Sequence, residues 1–289
     1  MNEQLILHGL QLILIIAIFL LGVLFAHQMY VNRINIKEKF VSGFLIGLIT
    51  DFGDTIGIGS FATTTTAFKL TGHMADDRQL PGTMNAAHAI PVIVEASFFL
   101  TAVKVSLTTL IPMTLAAMLG AGIGTKITMN WNARMIQRGL SITLTVAAIV
   151  MLVNTLTSPN IPVTSHGLVG WQLVVGVIFN LGIGILMTIG LGNYTPELIF
   201  FALMGVNPLV AFPVMMMDAA MIMFAATINF VKTKRVQWQG LFGIVIGGVV
   251  GVVIAATLVK HIDTTLLRYA IVGLALWTAY SLFRESIRH

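Results

Sequence analysis

Not one of the 289 residues is a cysteine. Disulfides, thiolate catalysis, iron–sulfur clusters and Cys-based metal sites are therefore excluded. Charge is almost as scarce. Asp, Glu, Lys and Arg make up 9% of the chain, whereas a soluble domain carries about 25%. No stretch is polar enough and long enough to be a separate soluble domain. The net charge of +5 does not point to nucleic acid, because the basic residues fall between apolar runs and act as topology signals.

What the chain has in excess is apolar sequence, 57% of its residues. Runs near the roughly 20 residues needed to cross the hydrocarbon core lie at about 5–26, 82–103, 106–126, 136–157, 208–230, 239–259 and 265–283. The first has no basic residue before it and no small-residue cleavage site after it. It is expected to be a transmembrane helix and not a removable signal peptide. Trp131, Trp171, Trp238 and Trp277 mostly flank spans, as interfacial anchors do. Two further segments, 39–71 and 167–205, are too long for one crossing.

Each long segment is interrupted by the same motif. Thr55-Ile56-Gly57-Ile58-Gly59-Ser60 returns as Thr188-Ile189-Gly190-Leu191-Gly192-Asn193. The spacing of 133 also carries Gly43 onto Gly176, Gly72 onto Gly205, and Asn85-Ala86-Ala87 onto Asp218-Ala219-Ala220. A duplication with Gly-rich breaks in matching apolar segments points to a transporter whose site lies between the halves.

Charge counting decides whether the interrupted segments cross. If both cross, nine Lys/Arg lie on one side and seven on the other. If both turn back, Arg33, Lys37, Lys39, Lys69, Arg78, Lys126, Arg134, Arg138, Lys232, Lys234, Arg235, Arg284 and Arg288 share the inside, and only Lys104, Lys260 and Arg268 lie outside. The positive-inside rule favours the second arrangement. Three crossings then separate the hairpins, so the two copies are inverted.

The expected fold is an all-α polytopic membrane protein. It is built on an inverted repeat, with about seven crossing helices plus two re-entrant, broken helical hairpins. The expected parts are an N-terminal helix and cytoplasmic loop (1–38), repeat 1 (39–157, hairpin 39–71 plus three crossings) and repeat 2 (158–289, hairpin 167–205 plus three crossings).

Broken backbone at membrane depth must face protein or water. Helix resumes after each break, with Ser60 or Thr63 available as a cap in the first hairpin. In the second, Thr195-Pro196-Glu197 gives a capping Thr, an N-terminal Pro and an acid in the first turn. Two short helices would point their N-termini, with unpaired N–H groups and the positive dipole end, at one place. That is an anion site. The expected substrate contacts are Gly57, Gly59, Ser60, Thr63, Thr64, Asn85, Gly190, Gly192, Asn193, Tyr194 and Thr195. The competing reading is that Gly and Thr only let helices pack closely.

Ionisable groups inside spans are costly and so are functional candidates. Asp51, Asp54, His88, Glu95 and Asp218 are the expected coupling residues. Asn85, His88, Val92 and Glu95 share one helical face. A structural hydrogen bond at Asp51, or a structural His88–Glu95 pair, stays open. Met215-Met216-Met217 reads as flexible packing and not as a soft-metal path.

These hairpins resemble the sulfite exporter TauE/SafE family, also called the toluene sulfonate uptake permease family. The resemblance is carried by Gly57-Ile58-Gly59-Ser60, Gly190-Leu191-Gly192-Asn193, Pro196 and Gly82-Thr83, and covers nearly the whole chain. Ser60 and Phe61 interrupt the longer glycine run usual there, and the Thr63–Thr66 tract stands where Pro is expected, so the chain is similar to a divergent member. The resemblance implies secondary transport of sulfite, sulfonates or small organic carboxylates in a bacterial inner membrane. The expected partners are a small anion, membrane lipid and a coupling proton or sodium ion, with no nucleic acid, cofactor or metal; a homodimer stays open. No enzymatic activity is expected. The other classes are an anion channel on the same hairpins and an intramembrane aspartyl protease, suggested by Phe52-Gly53-Asp54 with Asp218.

Overall fold

The computed structural model describes residues 3–56, 59–102, 106–157, 167–190, 192–206 and 208–258, with scattered helical residues between 269 and 287. Some side chains inside helices are also left undescribed. Within the described residues the chain is all-helical and has no β-strand. Ten helices follow in order: α1 (Glu3–Val31), α2 (Phe40–Thr55), α3 (Ser60–Thr71), α4 (Leu80–Ala102), α5 (Leu107–Thr128), α6 (Ala133–Thr157), α7 (Trp171–Met187), α8 (Tyr194–Leu203), α9 (Pro208–Lys232) and α10 (Leu241–Leu258).

Among the described residues, four helical stretches are long and apolar enough to cross a membrane: Gln4–Val31, Asp77–Thr101, Leu107–Thr128 and Ala211–Lys232. Trp171–Met187 and Leu241–Thr257 are apolar and shorter. The outward faces suit lipid, since α1 exposes Leu12, Ile15, Ile16 and Phe19 and α7 exposes Val174 and Ile178. The expected run 265–283 lies mostly outside the described residues.

Both long segments are broken where the glycine motif falls. Gly59 has φ 81° and Gly190 φ 104°, a region that only glycine enters at little cost. The short helices α3 and α8 also end alike. Gly72 and Gly205 turn left-handed, at φ 61° and 71°. His73 N–H then bonds to Phe68 C=O at 3.0 Å, and Val206 N–H to Phe201 C=O at 2.9 Å. This is the six-to-one closure of a glycine-capped helix end.

Hydrogen bonds fix which loops share an end of the bundle. Lys39 Nζ donates to His73 C=O (2.7 Å), and Gln237 Nε2 donates to the same carbonyl (2.8 Å). Gln137 donates to Asp77 (2.7 Å), and Arg235 donates to the carbonyls of Met129, Trp131 and Arg78. Segments 33–40, 72–79, 129–137 and 233–240 are thus knitted together, so α2–α3 is a hairpin returning to its starting end. At the other end, Leu168 N–H bonds to Thr109 Oγ1 (2.8 Å), and Gln172 Nε2 to Met204 C=O (3.2 Å). The α7–α8 hairpin opens there.

Two glycine seams bind the hairpins into the bundle. On α2, Gly43 and Gly47 lie against the carbonyls of Gly240 and Ile244, while Gly243, Gly247 and Gly251 on α10 meet those of Phe40, Phe44 and Leu48. Between α5 and α7, Gly120 and Gly124 meet the carbonyls of Leu181 and Ile185, and Gly184 meets that of Ala117. A side chain would not fit at these places. Small residues let helix backbones approach closely where lipid provides no hydrophobic drive. Between the seams, α4 packs on α9, α5 on α9 and α4 on α10.

Candidate functional site

The first break is held by the residues that precede it. Asp51 and Asp54 sit in the last two turns of α2, buried by α4 and α10. Asp54 reaches across the break to the start of α3. Its Oδ1 accepts Ser60 N–H at 2.9 Å, and its Oδ2 accepts the Ser60 hydroxyl at 2.8 Å. A carboxylate from another helix thereby caps α3. This corrects the expectation that Ser60 or Thr63 caps the helix, and it takes up one of the first N–H groups expected to stand free, that of Ser60. A buried N–H must find an acceptor, and Asp54 is the acceptor within reach. Thr63 turns its hydroxyl back onto Gly59 C=O (3.0 Å) and Ser60 C=O (2.9 Å).

One turn earlier, Asp51 belongs to a second network. His88 Nδ1 lies 2.8 and 2.9 Å from the two Asp51 oxygens, and Nε2 lies 2.8 Å from Thr64 Oγ1. All three residues are buried. This Asp–His–Thr chain joins α2, α4 and α3, so the alternative of a His88–Glu95 pair does not hold. Glu95 is fully buried, and neither of its oxygens has a hydrogen-bond partner. Its electrostatic neighbours are Asp54 and Asp51. Asn85 donates to Pro81 C=O (2.8 Å) and leaves its own buried carbonyl unpartnered.

At the second break, α8 begins at Tyr194, two residues before the expected first helical residue Pro196. Asn193 holds the cap position, since Glu197 N–H bonds to Asn193 C=O at 3.0 Å. That moves the cap from Thr195 to Asn193. The Asn193 side chain donates to Glu197 Oε1 (2.9 Å) and to Met215 C=O (2.8 Å). Tyr194 is half-buried and meets Phe212 edge-on, with ring centroids 5.6 Å apart. The side chain of Thr195, and Gly57 altogether, lie outside the described residues. A Cβ placed on Gly59 or Gly192 would meet nothing within 4 Å, so both breaks border open space.

Asp218 of α9 is fully buried and receives hydrogen bonds from Thr114 of α5 and Asn180 of α7. Its carboxyl also lies within hydrogen-bonding reach of Glu197. Sequence reasoning missed Glu197, Asn180 and Thr114 as site residues. Two signals pointed to them. The spacing of 133 carries Thr64 onto Glu197, and Asn180 is the one amide deep in an otherwise apolar helix. Among the described residues, no group of three or more His, Asp or Glu is arranged to hold a metal ion.

The chain matches no family model, no curated protein and no solved structure.

Proposed function

We propose that this chain is a secondary active transporter of small anions, such as sulfite, a sulfonate or a small organic carboxylate, working by alternating access. One observation carries the reading. Two broken hairpins open at opposite ends, and each starts its short helix in the interior beside a carboxyl of the chain, Asp54 for α3 and Glu197 for α8. Helix packing supports an inverted repeat. The spacing of 133 turns the α2–α10 contact into α7 against α5, and turns α4–α10 into α9–α5. With the last apolar run, the count becomes seven crossings and two hairpins, divided as 1–38, 39–157 and 158–289. The duplicated motif still favours a divergent TauE/SafE-like protein of a bacterial inner membrane.

The carboxyls give the mechanism its coupling. Asp54 occupies the N–H and O–H of Ser60, the donors that a substrate oxyanion needs. An anion and a carboxylate cannot share them. Protonation removes the Asp54 charge, frees Ser60 and lets an oxyanion take its place. Anion and proton would then enter together and leave together.

Flux in proteoliposomes tests this directly. Sulfite and a panel of small sulfonates and carboxylates should show saturable, counterflow-capable uptake driven by an inward proton gradient. Ohmic current without saturation would identify a channel. No flux for any anion under either gradient would end the transport reading.

A further inference from the structure

The Glu197–Asp218 pair has four carboxyl oxygens and three donors. Thr114 Oγ1 donates to Asp218 Oδ1, Asn180 Nδ2 to Asp218 Oδ2, and Asn193 Nδ2 to Glu197 Oε1. The fourth oxygen, Glu197 Oε2, is buried and receives nothing. It belongs to the carboxyl that faces Asp218.

We infer that Glu197 and Asp218 share one proton, seated on Glu197 Oε2 and donated to Asp218. As a free acceptor, a buried carboxylate oxygen without a donor carries its full desolvation penalty. As an O–H it becomes the missing donor. Two adjacent carboxyls in one buried site cannot both ionise without severe repulsion.

Among the described residues, no cation stands near enough to replace that proton. Of the helices packed around the pair, α5 brings Lys126, α6 brings Arg134 and Arg138, and α9 brings Lys232. All are exposed and sit near the helix ends, at the first two turns of α6 and the last turns of α5 and α9. The titratable groups of α4 are His88, held by Asp51, and Glu95, whose electrostatic neighbours are Asp51 and Asp54. Helix α7 carries no charged residue, and α8 carries only Glu197. Beyond Thr114 lies a cleft of about 420 Å³ between α1, α5 and α9, lined apart from Thr114 by apolar residues such as Leu10, Ile13, Met118 and Met217. That side offers no alternative partner.

The two halves therefore differ chemically at matched places. Where the second has the acids Glu197 and Asp218, the first has the neutral Thr64 and Asn85. In the proposed transport cycle the second half thus holds a proton of its own, beside the one that Asp54 takes up in the first half. That last step rests on the transport reading; the shared proton does not.

Infrared spectroscopy of the purified full chain tests the pair. At neutral pH the wild type should show a protonated-carboxyl band that Glu197→Gln removes and Asp54→Asn leaves in place. Gln reproduces the shape and the donor of the protonated acid, so this variant should fold with unchanged thermal stability. Glu95, buried with both oxygens unpartnered, can add a band of its own, so the wild-type minus Glu197→Gln difference spectrum decides, and a difference spectrum with no protonated-carboxyl band would overturn the assignment. So would folding failure of Glu197→Gln alongside a stable Asp218→Asn, because the proton would then sit on Asp218. Loss of the wild-type band on adding sodium at fixed pH would convert the pair into a cation site and equally overturn it. The band needs no flux. Its loss in a chain that moves no anion keeps the pair and discards the transport reading, and flux with an unchanged band does the reverse.

Discussion

Asp54, next to last in α2, binds both the backbone N–H and the hydroxyl of Ser60, the first residue of α3. One carboxylate thus joins the two arms of a hairpin across its break. Asp54→Ala should lower stability by about 1.5–3 kcal/mol, the range for hydrogen bonds to a charged group. Asp54→Asn keeps one acceptor for Ser60 N–H and should lose less. Thermal unfolding in detergent measures both. Equal stability of Asp54→Ala and wild type would show that the bridge does not hold the break.

Matched glycines make a second test. Gly59 and Gly190 hold positive φ, whereas Gly192, the repeat partner of Gly59, is not among the positive-φ residues. Gly59→Ala and Gly190→Ala should each cost roughly 1–3 kcal/mol from backbone strain. Gly192→Ala, bordering open space, should be tolerated. The same measurement orders the three variants, and an equal cost at 192 would refute the assignment of strain.

His73 predicts a pH dependence. Its ring stacks on Phe68 at 5.1 Å and lies outside the spans, in the loop after α3. Burial, and secondarily the Lys39 ammonium, hold its pKa below the ordinary value of 6.5. The unfolded chain therefore binds the proton more readily, so the stability from neutral His73 is complete above about pH 6.5 and falls as pH drops below it. His73→Phe should flatten the decline of the unfolding temperature between neutral and mildly acidic pH. An unchanged slope would assign that decline to other groups.

The absence of cysteine gives a clean background for topology. Asp76→Cys and Val169→Cys place single thiols at opposite ends of the bundle. Val169 is exposed and Asp76 is partly so. An impermeant thiol reagent on intact cells should label position 169 and spare position 76 until the membrane is opened. Labelling of both from one side would contradict the hairpins.

Helix positions were legible from apolar runs, because span length is a one-dimensional property. The breaks were legible too, since only glycine supports the backbone at 59 and 190. The partners were not. His88 meets Thr64 and Asp51 from 24 and 37 residues away, and no local pattern encodes which polar groups will converge. Glu197 looked like a favourable helix start because its position in the first turn is right for that. Its burial beside Asp218 depends on how α8 packs on α9. One of the free N–H groups expected at α3, that of Ser60, is filled by a residue of the preceding helix.

The glycine seams bear on how the chain is made. Helix α2 finds its closest backbone partner in α10, which leaves the ribosome some 200 residues later. Until then the first hairpin lies in the bilayer with one grooved face uncovered and its aspartates short of neighbours. Such long-range pairing is slow to form, and broken backbone tolerates lipid poorly. Assembly of the first half therefore waits on the second, so a chain truncated before α10 should be a substrate for membrane quality control and not a half-sized working protein.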